Sequence, residues 1–284
     1  MPLVPLKTLL DRAEEGKYAV GAFNCNNMEI VQAIVEAADE LRSPVIIQAS
    51  QGAIKYAGLS YVVGLAKLAA DHASVPVALH LDHGTDFNTV IACIRAGFTS
   101  VMFDGSQWPK AENIARTKEI VKIAHAVGVS VEGEIGKIGG VEDEIAVDER
   151  DAMLTPVDDA IEFYEATGVD ALAMSFGTAH GHYKLPPKLA LDRIDAVHQK
   201  TGAYLVMHGG SGVPEHDVRE GIRLGIRKVN IDTELREAFL GEVRVQLAAK
   251  PHEIDPRKIF APAKGILKER LKTKMNLFGS AGKA

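Results

Sequence analysis

The 284-residue sequence predicts an α/β fold in which eight parallel strands close into a (β/α)8, or TIM, barrel. The first observation is a series of eight short apolar runs, most of which end in a polar residue. The second is that segments with helical spacing separate these runs, as at Ile120, Ile123 and Ala124. Strands that alternate with helices form parallel sheets, and a chain of this length suits one closed barrel.

The predicted strands follow one another at intervals of about 30 residues, close to the length of one βα unit. In chain order they are Val20–Asn24, Val45–Ser50, Val77–His83, Ser100–Asp104, Val129–Glu134, Ala171–His180, Tyr204–Gly210 and Lys228–Thr233. Glycines just after predicted helices, such as Gly97 and Gly168, end them because glycine takes a positive φ freely. The chain from Lys250 onward predicts a helical extension that packs outside the barrel or on another subunit. No linker divides residues 1–284, which we expect to form a single domain.

Composition and charge narrow the class of protein. The net charge is −6 and no basic stripe offsets it, so we expect no nucleic-acid partner. The N-terminus does not resemble a signal peptide, and no apolar segment approaches the roughly 18 residues that a membrane span needs. With only two cysteines, Cys25 and Cys93, a disulfide scaffold is not expected. These features predict a cytoplasmic protein with no membrane partner.

Three histidines lie at or beside the predicted ends of the third, sixth and seventh strands, at His83, His180 and His208. Because the carboxyl ends of barrel strands meet at one mouth, we expect these side chains to converge. Three neutral imidazoles leave Zn²⁺ its full charge and an open coordination position. The pattern therefore predicts a metal site, and it suits a Lewis acid that polarises a carbonyl group and holds an enediolate.

Carboxylates are predicted at the same level of the barrel, at Asp82, Asp104 and Glu134. Each could bind a metal, orient a metal ligand or transfer a proton. Asp82 is the strongest candidate because it adjoins His83. His80, two residues earlier, is expected to face the interior and support the site.

Polar and glycine-rich turns follow the last two predicted strands, over residues 208–212 and 230–233. Barrels of this type bind phosphate at that place, through backbone N–H groups and a helix N-terminus. Lys184 could add a cationic contact. The long segments 136–156 and 181–191 are predicted to cover the mouth.

Several motifs occur together in a fixed order: HLDHG, VEGEIGKIGGVED, GTAHGHYK, HGGSGVP, KVNIDTELR and DPR. In this combination the chain closely resembles class II fructose-bisphosphate aldolases, a set that includes tagatose-bisphosphate aldolases, essentially from end to end. The resemblance implies a zinc-dependent lyase of glycolysis. It would reversibly cleave fructose 1,6-bisphosphate to glycerone phosphate and glyceraldehyde 3-phosphate through a metal-stabilised enediolate. D-tagatose 1,6-bisphosphate, which differs at one carbon, is the alternative substrate.

The resemblance also implies residue roles by motif match. His83, His180 and His208 would bind zinc, Asp82 would transfer a proton at a hydroxyl, and Glu142 would exchange a proton at carbon. Asp104 and Glu134 match positions for an alternative or second divalent metal. Substrate and phosphate positions are Asn24, Ser50, Gly181, Lys184, Gly209, Gly210, Ser211, Asn230, Ile231, Asp232, Thr233 and Arg257. A site for Na⁺ or K⁺ matches Ala179, Gly181, Gly209 and Ser211. Arg257 would come from a neighbouring subunit, which implies a homodimer or homotetramer.

Three alternative hypotheses are weighed against a zinc aldolase, and the first of them is disfavoured. A Schiff-base aldolase needs an interior lysine, and the prediction that Lys228 begins its strand on the wrong face argues against one. A metal-dependent hydrolase on the same barrel usually has an HxH pair on its first strand, which VGAFNCNN lacks. The third alternative is a catalytically idle barrel that serves as a binding or assembly subunit.

Overall fold

The structure is a computed structural model that describes residues 3–142, 145–147, 154–183 and 187–284. Its strands are β1 (Val20–Asn24), β2 (Val45–Ser50), β3 (Val77–Gly84), β4 (Ser100–Phe103), β5 (Ser130–Ile135), β6 (Gly139–Glu142), β7 (Ile145–Val147), β8 (Ala171–Met174), β9 (Ala179–His180), β10 (Tyr204–Met207) and β11 (Ile226–Ile231). Its helices are α1 (Leu6–Gly16), α2 (Met28–Leu41), α3 (Gln51–Ala57), α4 (Leu59–His72), α5 (Phe87–Ala96), α6 (Lys110–Ala126), α7 (Val157–Thr167), α8 (Leu191–Thr201), α9 (Glu215–Leu224), α10 (Thr233–Ala249) and α11 (Arg257–Phe278).

Eight of the described strands form a closed parallel barrel in the order β1-β11-β10-β8-β5-β4-β3-β2. This confirms the predicted TIM-barrel fold. The first two strands have the predicted bounds, and the helices alternate with the barrel strands as expected. The carboxyl ends of the strands therefore meet at one mouth, where the candidate residues were predicted.

The predicted sixth strand, Ala171–His180, was wrong in its second half. The barrel strand β8 ends at Met174, and Ala179 and His180 belong to a separate sheet with the order β7-β6-β9. Gly177 lies between them with φ +108°, a conformation that takes the chain out of a β ladder. His180 therefore lies on a segment above the barrel rather than at a barrel strand end.

The predicted last strand, Lys228–Thr233, was displaced by two residues. Strand β11 runs from Ile226 to Ile231, so Lys228 lies inside it and pairs with Val20 of β1. The Lys228 side chain is fully buried, which contradicts the prediction that it begins the strand on the wrong face. The strand ends predicted at Asp104 and Gly210 also extend too far, since β4 ends at Phe103 and β10 at Met207.

Helix α1 closes the amino-terminal end of the barrel. Its leucines belong to one buried cluster with inward-facing barrel residues, several of which are small. The members of this cluster are Leu6, Leu9, Leu10, Ala13, Tyr18, Val20, Ala22, Ile46, Ala78, Ala171, Ala173 and Val206. The backbone N–H groups of Val4 and Lys7 reach Val77 of β3 and Ser130 of β5, at the starts of those strands. The interior thus has an apolar floor.

The C-terminal extension packs outside the barrel, as predicted. Helix α11 lies against α2 and α10, and Lys264 and Lys268 pair with Glu36 and Glu40 of α2 at 2.7 Å each. Gly282 then donates a backbone hydrogen bond to Leu41, at the end of α2. Among the helices in the described ranges, none combines the length and apolar character that crossing a bilayer requires.

Candidate active site

The three predicted histidines converge at the mouth. The ring centroids of His83 and His208 are 4.8 Å apart, and those of His180 lie 5.0 Å from His83 and 5.5 Å from His208. Nδ1 of His208 lies 3.1 Å from Nε2 of His83. Two nitrogens bound to one tetrahedral zinc are roughly 3.3 Å apart, because each Zn–N bond is about 2.0–2.1 Å. The set therefore has the nitrogen chemistry and spacing that suit Zn²⁺.

A break in strand β3 allows two consecutive residues, Asp82 and His83, to reach the same site. Side chains in a regular strand alternate between faces, so neighbours normally point apart. Here the β3–β4 register shifts between Leu81 and Gly84, and His83 has φ +48°. A bulge of this kind redirects a side chain. It turns the imidazole toward the mouth beside the Asp82 carboxylate.

Asp104 orients the His83 ring. Nδ1–H of His83 donates to Oδ2 of Asp104 at 2.9 Å, which leaves Nε2 facing His208. Burial opposes ionisation of Asp104, but hydrogen bonds from His83 and Ser106 outweigh it and lower its pKa. Burial would also lower the pKa of His83, yet Asp82, Asp104 and Glu134 raise it to about 10. The surrounding carboxylates thus favour a positive charge at this point, which a proton or a metal ion can supply.

Glu134 lies next to this pair. Its Oε2 is 4.0 Å from Nδ1 of His83 and, among the described residues, has no hydrogen-bond partner although it is buried. Burial and the nearby Asp104 raise the pKa of Glu134. Ligand atoms of His83, Asp104 and Glu134 lie within 4.8 Å of one another. This second group of mixed nitrogen and oxygen donors offers an alternative place for a divalent ion.

Three amides hold the Asp82 carboxylate. Oδ2 accepts from Asn24 at 3.0 Å and from Gln48 at 3.2 Å, and Oδ1 accepts from Asn230 at 3.4 Å. Burial raises the pKa of Asp82, but His83, His208 and Lys228 lower it further than burial raises it. Asp82 is therefore an ionised, fixed carboxylate beside the histidines. Gln48 was not predicted as a site residue from the sequence, although Gln48 lies two residues before Ser50 on the same face of β2.

Glu132, which was not predicted from the sequence, lies below His208 and hydrogen-bonds to it. Nε2–H of His208 donates to Oε1 of Glu132 at 2.9 Å, and both side chains are fully buried. Glu132 lies two residues before Glu134, so strand periodicity alone places both on the interior face. His80 lies in the same layer, as predicted, with Nδ1 at 2.8 Å from Oγ of Ser100.

The loops after β8 and β10 approach each other closely. A Cβ atom at Gly209, where φ is +62°, would lie 2.2 Å from the carbonyl oxygen of Ala179. The Tyr183 hydroxyl bridges the loops, because it accepts from the N–H of Ala179 and donates to the carbonyl of Gly209, each at 2.8 Å. Ser211 lies in the second loop, and its Oγ accepts from the N–H of Glu234 at 3.4 Å. Two predicted members of the monovalent-cation set are thus in contact.

Three further residues that were predicted to bind substrate or phosphate lie at the beginnings of helices. Ser50 caps α3, because its Oγ accepts from the N–H of Ala53. Asp232, which precedes α10, pairs with Arg236 at 2.7 Å. Arg257 begins α11 with its side chain 87% exposed and pairs with Asp255.

Two predicted site residues cannot be placed by their side chains. Lys184 lies outside the described residues. Glu142 has a described backbone in β6, but its side chain lies outside the described part. Its neighbourhood is nevertheless defined, because Gly140 of the same strand pairs with His180.

A family described as "Fructose-bisphosphate aldolase class-II" matches residues 4–283 of the chain. The chain belongs to this family. This class II aldolase is therefore a carbon–carbon lyase of a metal-dependent family that acts on sugar phosphates, as its motifs predicted.

Individual relatives of this aldolase cover it almost completely. "Fructose-bisphosphate aldolase" of Thermus caldophilus is 44% identical over 97% of the chain and 98% of the relative. "Sulfofructosephosphate aldolase" of Alkalicoccus urumqiensis is also 44% identical, over 100% of the chain and 99% of the relative. Among solved structures, the YdjI aldolase of Escherichia coli K12 has a TM-score of 0.87 and 33% identity, with 99% of both chains covered.

Proposed function

We propose that this aldolase reversibly cleaves fructose 1,6-bisphosphate to glycerone phosphate and glyceraldehyde 3-phosphate at a zinc site. The observation that carries the proposal is the convergence of three imidazoles beside the ionised Asp82. Relatives named fructose-bisphosphate aldolase at 44% and 46% identity support this substrate. A sulfofructosephosphate aldolase at the same identity means that substrate choice depends on local contacts rather than overall similarity.

His83, His180 and His208 would hold the zinc, and the donor set fits it by element type and spacing. A zinc ion in that place would supply Lewis acidity toward a substrate carbonyl oxygen. Asp104 accepts a hydrogen bond from Nδ1–H of His83 and so leaves the lone pair of Nε2 directed toward His208. Asp104 and Glu134, with His83, would accept an alternative or second divalent ion.

Asp82 would move the proton of the reacting hydroxyl. As the C–C bond breaks, the bonding electron pair stays with the glycerone phosphate fragment, and the hydroxyl proton passes to Asp82 while the aldehyde forms. In the reverse direction Asp82 returns this proton. Asn24, Gln48 and Asn230 fix the carboxylate so that it needs no reorganisation for either transfer.

Glu142 would exchange the proton at carbon, since its strand β6 pairs with the segment that carries His180. The remaining motif positions would bind the substrate and its phosphates: Asn24, Ser50, Gly181, Lys184, Gly209, Gly210, Ser211, Asn230, Ile231, Asp232 and Thr233. Ala179, Gly181, Gly209 and Ser211 would bind Na⁺ or K⁺, and contact between the loops of Ala179 and Gly209 supports this.

Arg257 would reach the second phosphate of a neighbouring active site in a homodimer or homotetramer. Its high exposure at the start of α11 supports a role outside its own chain. We also infer that residues 1–284 form one domain that acts in cytoplasmic glycolysis. The match over residues 4–283 supports the single domain, and two buried free cysteines support a reducing compartment.

The interior position of Lys228 reopens the Schiff-base alternative and allows a direct test. Treatment with EDTA is expected to abolish cleavage of fructose 1,6-bisphosphate, and Zn²⁺ or Co²⁺ is expected to restore it. Lys228 is fully buried and paired with Glu132, so borohydride added with substrate should leave no covalent adduct. Cleavage that survives EDTA, with a reduced adduct mapped to Lys228 by peptide mass analysis, would contradict the metal mechanism.

Substrate preference is tested by competition among three sugar phosphates. We expect kcat/KM for fructose 1,6-bisphosphate to exceed that for D-tagatose 1,6-bisphosphate and for a sulfofructose phosphate. A site that hydrogen-bonds one hydroxyl configuration leaves a polar group unpaired with the other, and this disfavours the wrong epimer. Coupled assays of triose-phosphate formation measure the ratio. A higher value for either competitor would reassign the substrate while leaving the aldol chemistry intact.

A further inference from the structure

A layer of fully buried polar side chains, two of them oppositely charged, lies between the apolar floor and the three histidines at the mouth. It contains Glu132 of β5, Lys228 of β11 and His80 of β3. Nζ of Lys228 lies 2.9 Å from Oε2 of Glu132 and 3.4 Å from Nε2 of His80. Strands β5 and β11 are not neighbours in the barrel, so this ion pair crosses the interior.

The two oxygens of Glu132 have different partners. Oε2 faces Lys228, whereas Oε1 accepts the Nε2–H of His208 at 2.9 Å. A carboxylate accepts a hydrogen bond but cannot donate one, so Nε2 of His208 carries the hydrogen. The lone pair of His208 is then on Nδ1, the atom that lies 3.1 Å from Nε2 of His83.

Lys228 makes the Glu132 position possible. A buried carboxylate without a counter-charge is strongly unfavourable, and here the ammonium group supplies that charge. Stability of the core does not require this ion pair, because apolar residues of similar volume often stabilise a protein interior as well or better. The floor of the barrel is indeed built mainly from apolar side chains, such as Leu9, Ala22 and Ile46. The ion pair occurs where a histidine needs an acceptor.

We propose that Glu132 and Lys228 are positioning residues that fix the ring orientation and tautomer of His208 and so set the affinity of the metal site. The proposal rests on the metal site of the proposed function. Glu132 acts on His208 directly, and Lys228 acts through Glu132. Neither is expected to touch substrate, because both are fully buried beneath the histidines.

The test compares Glu132→Gln, Lys228→Met and the double variant. The dissociation constant for Zn²⁺ is measured by competition with a chromophoric chelator, and the visible spectrum of the Co²⁺ form reports coordination geometry. Each single variant is expected to weaken zinc binding roughly 10–100-fold, the usual effect of losing a partner of a ligating histidine. In Glu132→Gln, an amide N–H₂ faces the ammonium, whereas in Lys228→Met the carboxylate lacks its counter-charge.

The double variant separates positioning from mere loss of charge. The amide carbonyl that Glu132→Gln introduces can still accept from His208, and Lys228→Met removes the cation that would otherwise be buried without a partner. Zinc affinity and the Co²⁺ spectrum are therefore expected to lie closer to the wild-type values than in either single variant. A double variant at least as impaired as the sum of both would overturn the proposal, as would Lys228→Met with unchanged zinc affinity.

A control separates stability from metal affinity. Glu14 pairs with the buried Arg227 at 2.6 Å near the floor of the barrel, far from the histidines in sequence. Glu14→Gln is expected to lower the melting temperature of the metal-free protein while leaving the zinc dissociation constant unchanged. Failure of the wild-type chain to bind zinc would count against the proposed function, whereas wild-type binding with unaffected variants would count against this inference alone.

Discussion

Replacing His208 with alanine is expected to abolish stoichiometric zinc binding and to lower kcat/KM for sugar-bisphosphate cleavage by roughly 10³-fold or more. The magnitude follows because Lewis-acid stabilisation contributes several kcal/mol, and each 1.36 kcal/mol is a factor of ten in rate. The His208 ring lies 4.8 Å from the His83 ring and 5.5 Å from the His180 ring, measured between ring centroids. Zinc content by mass spectrometry of the purified protein and steady-state kinetics measure the two effects.

His216→Ala is the matched control for this variant. The His216 side chain is 81% exposed on α9, so its loss should change neither zinc content nor turnover. A His208→Ala protein that keeps one zinc per chain would contradict the role of His208. A protein that loses zinc but retains full turnover would contradict the metal mechanism itself.

The second large effect is expected for Asp82→Asn, which should keep the zinc and depress kcat by roughly 10²–10⁴, the usual contribution of a positioned acid or base. Asparagine has nearly the same shape as aspartate, and its carbonyl oxygen can still accept hydrogen bonds from Asn24 and Gln48. It cannot take up the hydroxyl proton. Steady-state cleavage rates and zinc content are measured on the same preparation.

Asp86→Asn provides the comparison for Asp82→Asn. Asp86 lies four residues later, is exposed and caps α5 through the N–H of Thr89, a role that asparagine also fills. Turnover should therefore stay at the wild-type level. Full activity in Asp82→Asn would assign the proton transfer to another group. Loss of zinc in that variant would instead make Asp82 part of the metal site.

Much of the fold was predictable because strand periodicity and helix-ending glycines are local signals. The bounds of β1 and β2 follow directly from their apolar runs. The location of His83 and His208 at one mouth was predictable for a topological reason, because the carboxyl ends of parallel barrel strands meet there. Neither inference needed side-chain geometry.

Other features depend on tertiary structure and leave little trace in the sequence. His83 points to the site only because of the bulge after Leu81, whereas regular alternation would have turned it away from Asp82. The start of β11 was predicted two residues too late, and this hid the interior position of Lys228. The Glu132–Lys228 pair joins two distant parts of the chain across the barrel, which no local pattern can indicate.

The way in which α1 closes the barrel has a kinetic consequence. In the described part of the chain, Leu6, Leu9 and Leu10 fill the amino-terminal end of the barrel, so we expect ions, sugars and solvent to reach the histidines from the opposite end. A sugar bound at that end would lie between an ion held by the histidines and the bulk solution. Release of a bound ion and turnover of the sugar would then use the same route, and we expect saturation with sugar to slow the exchange of the ion.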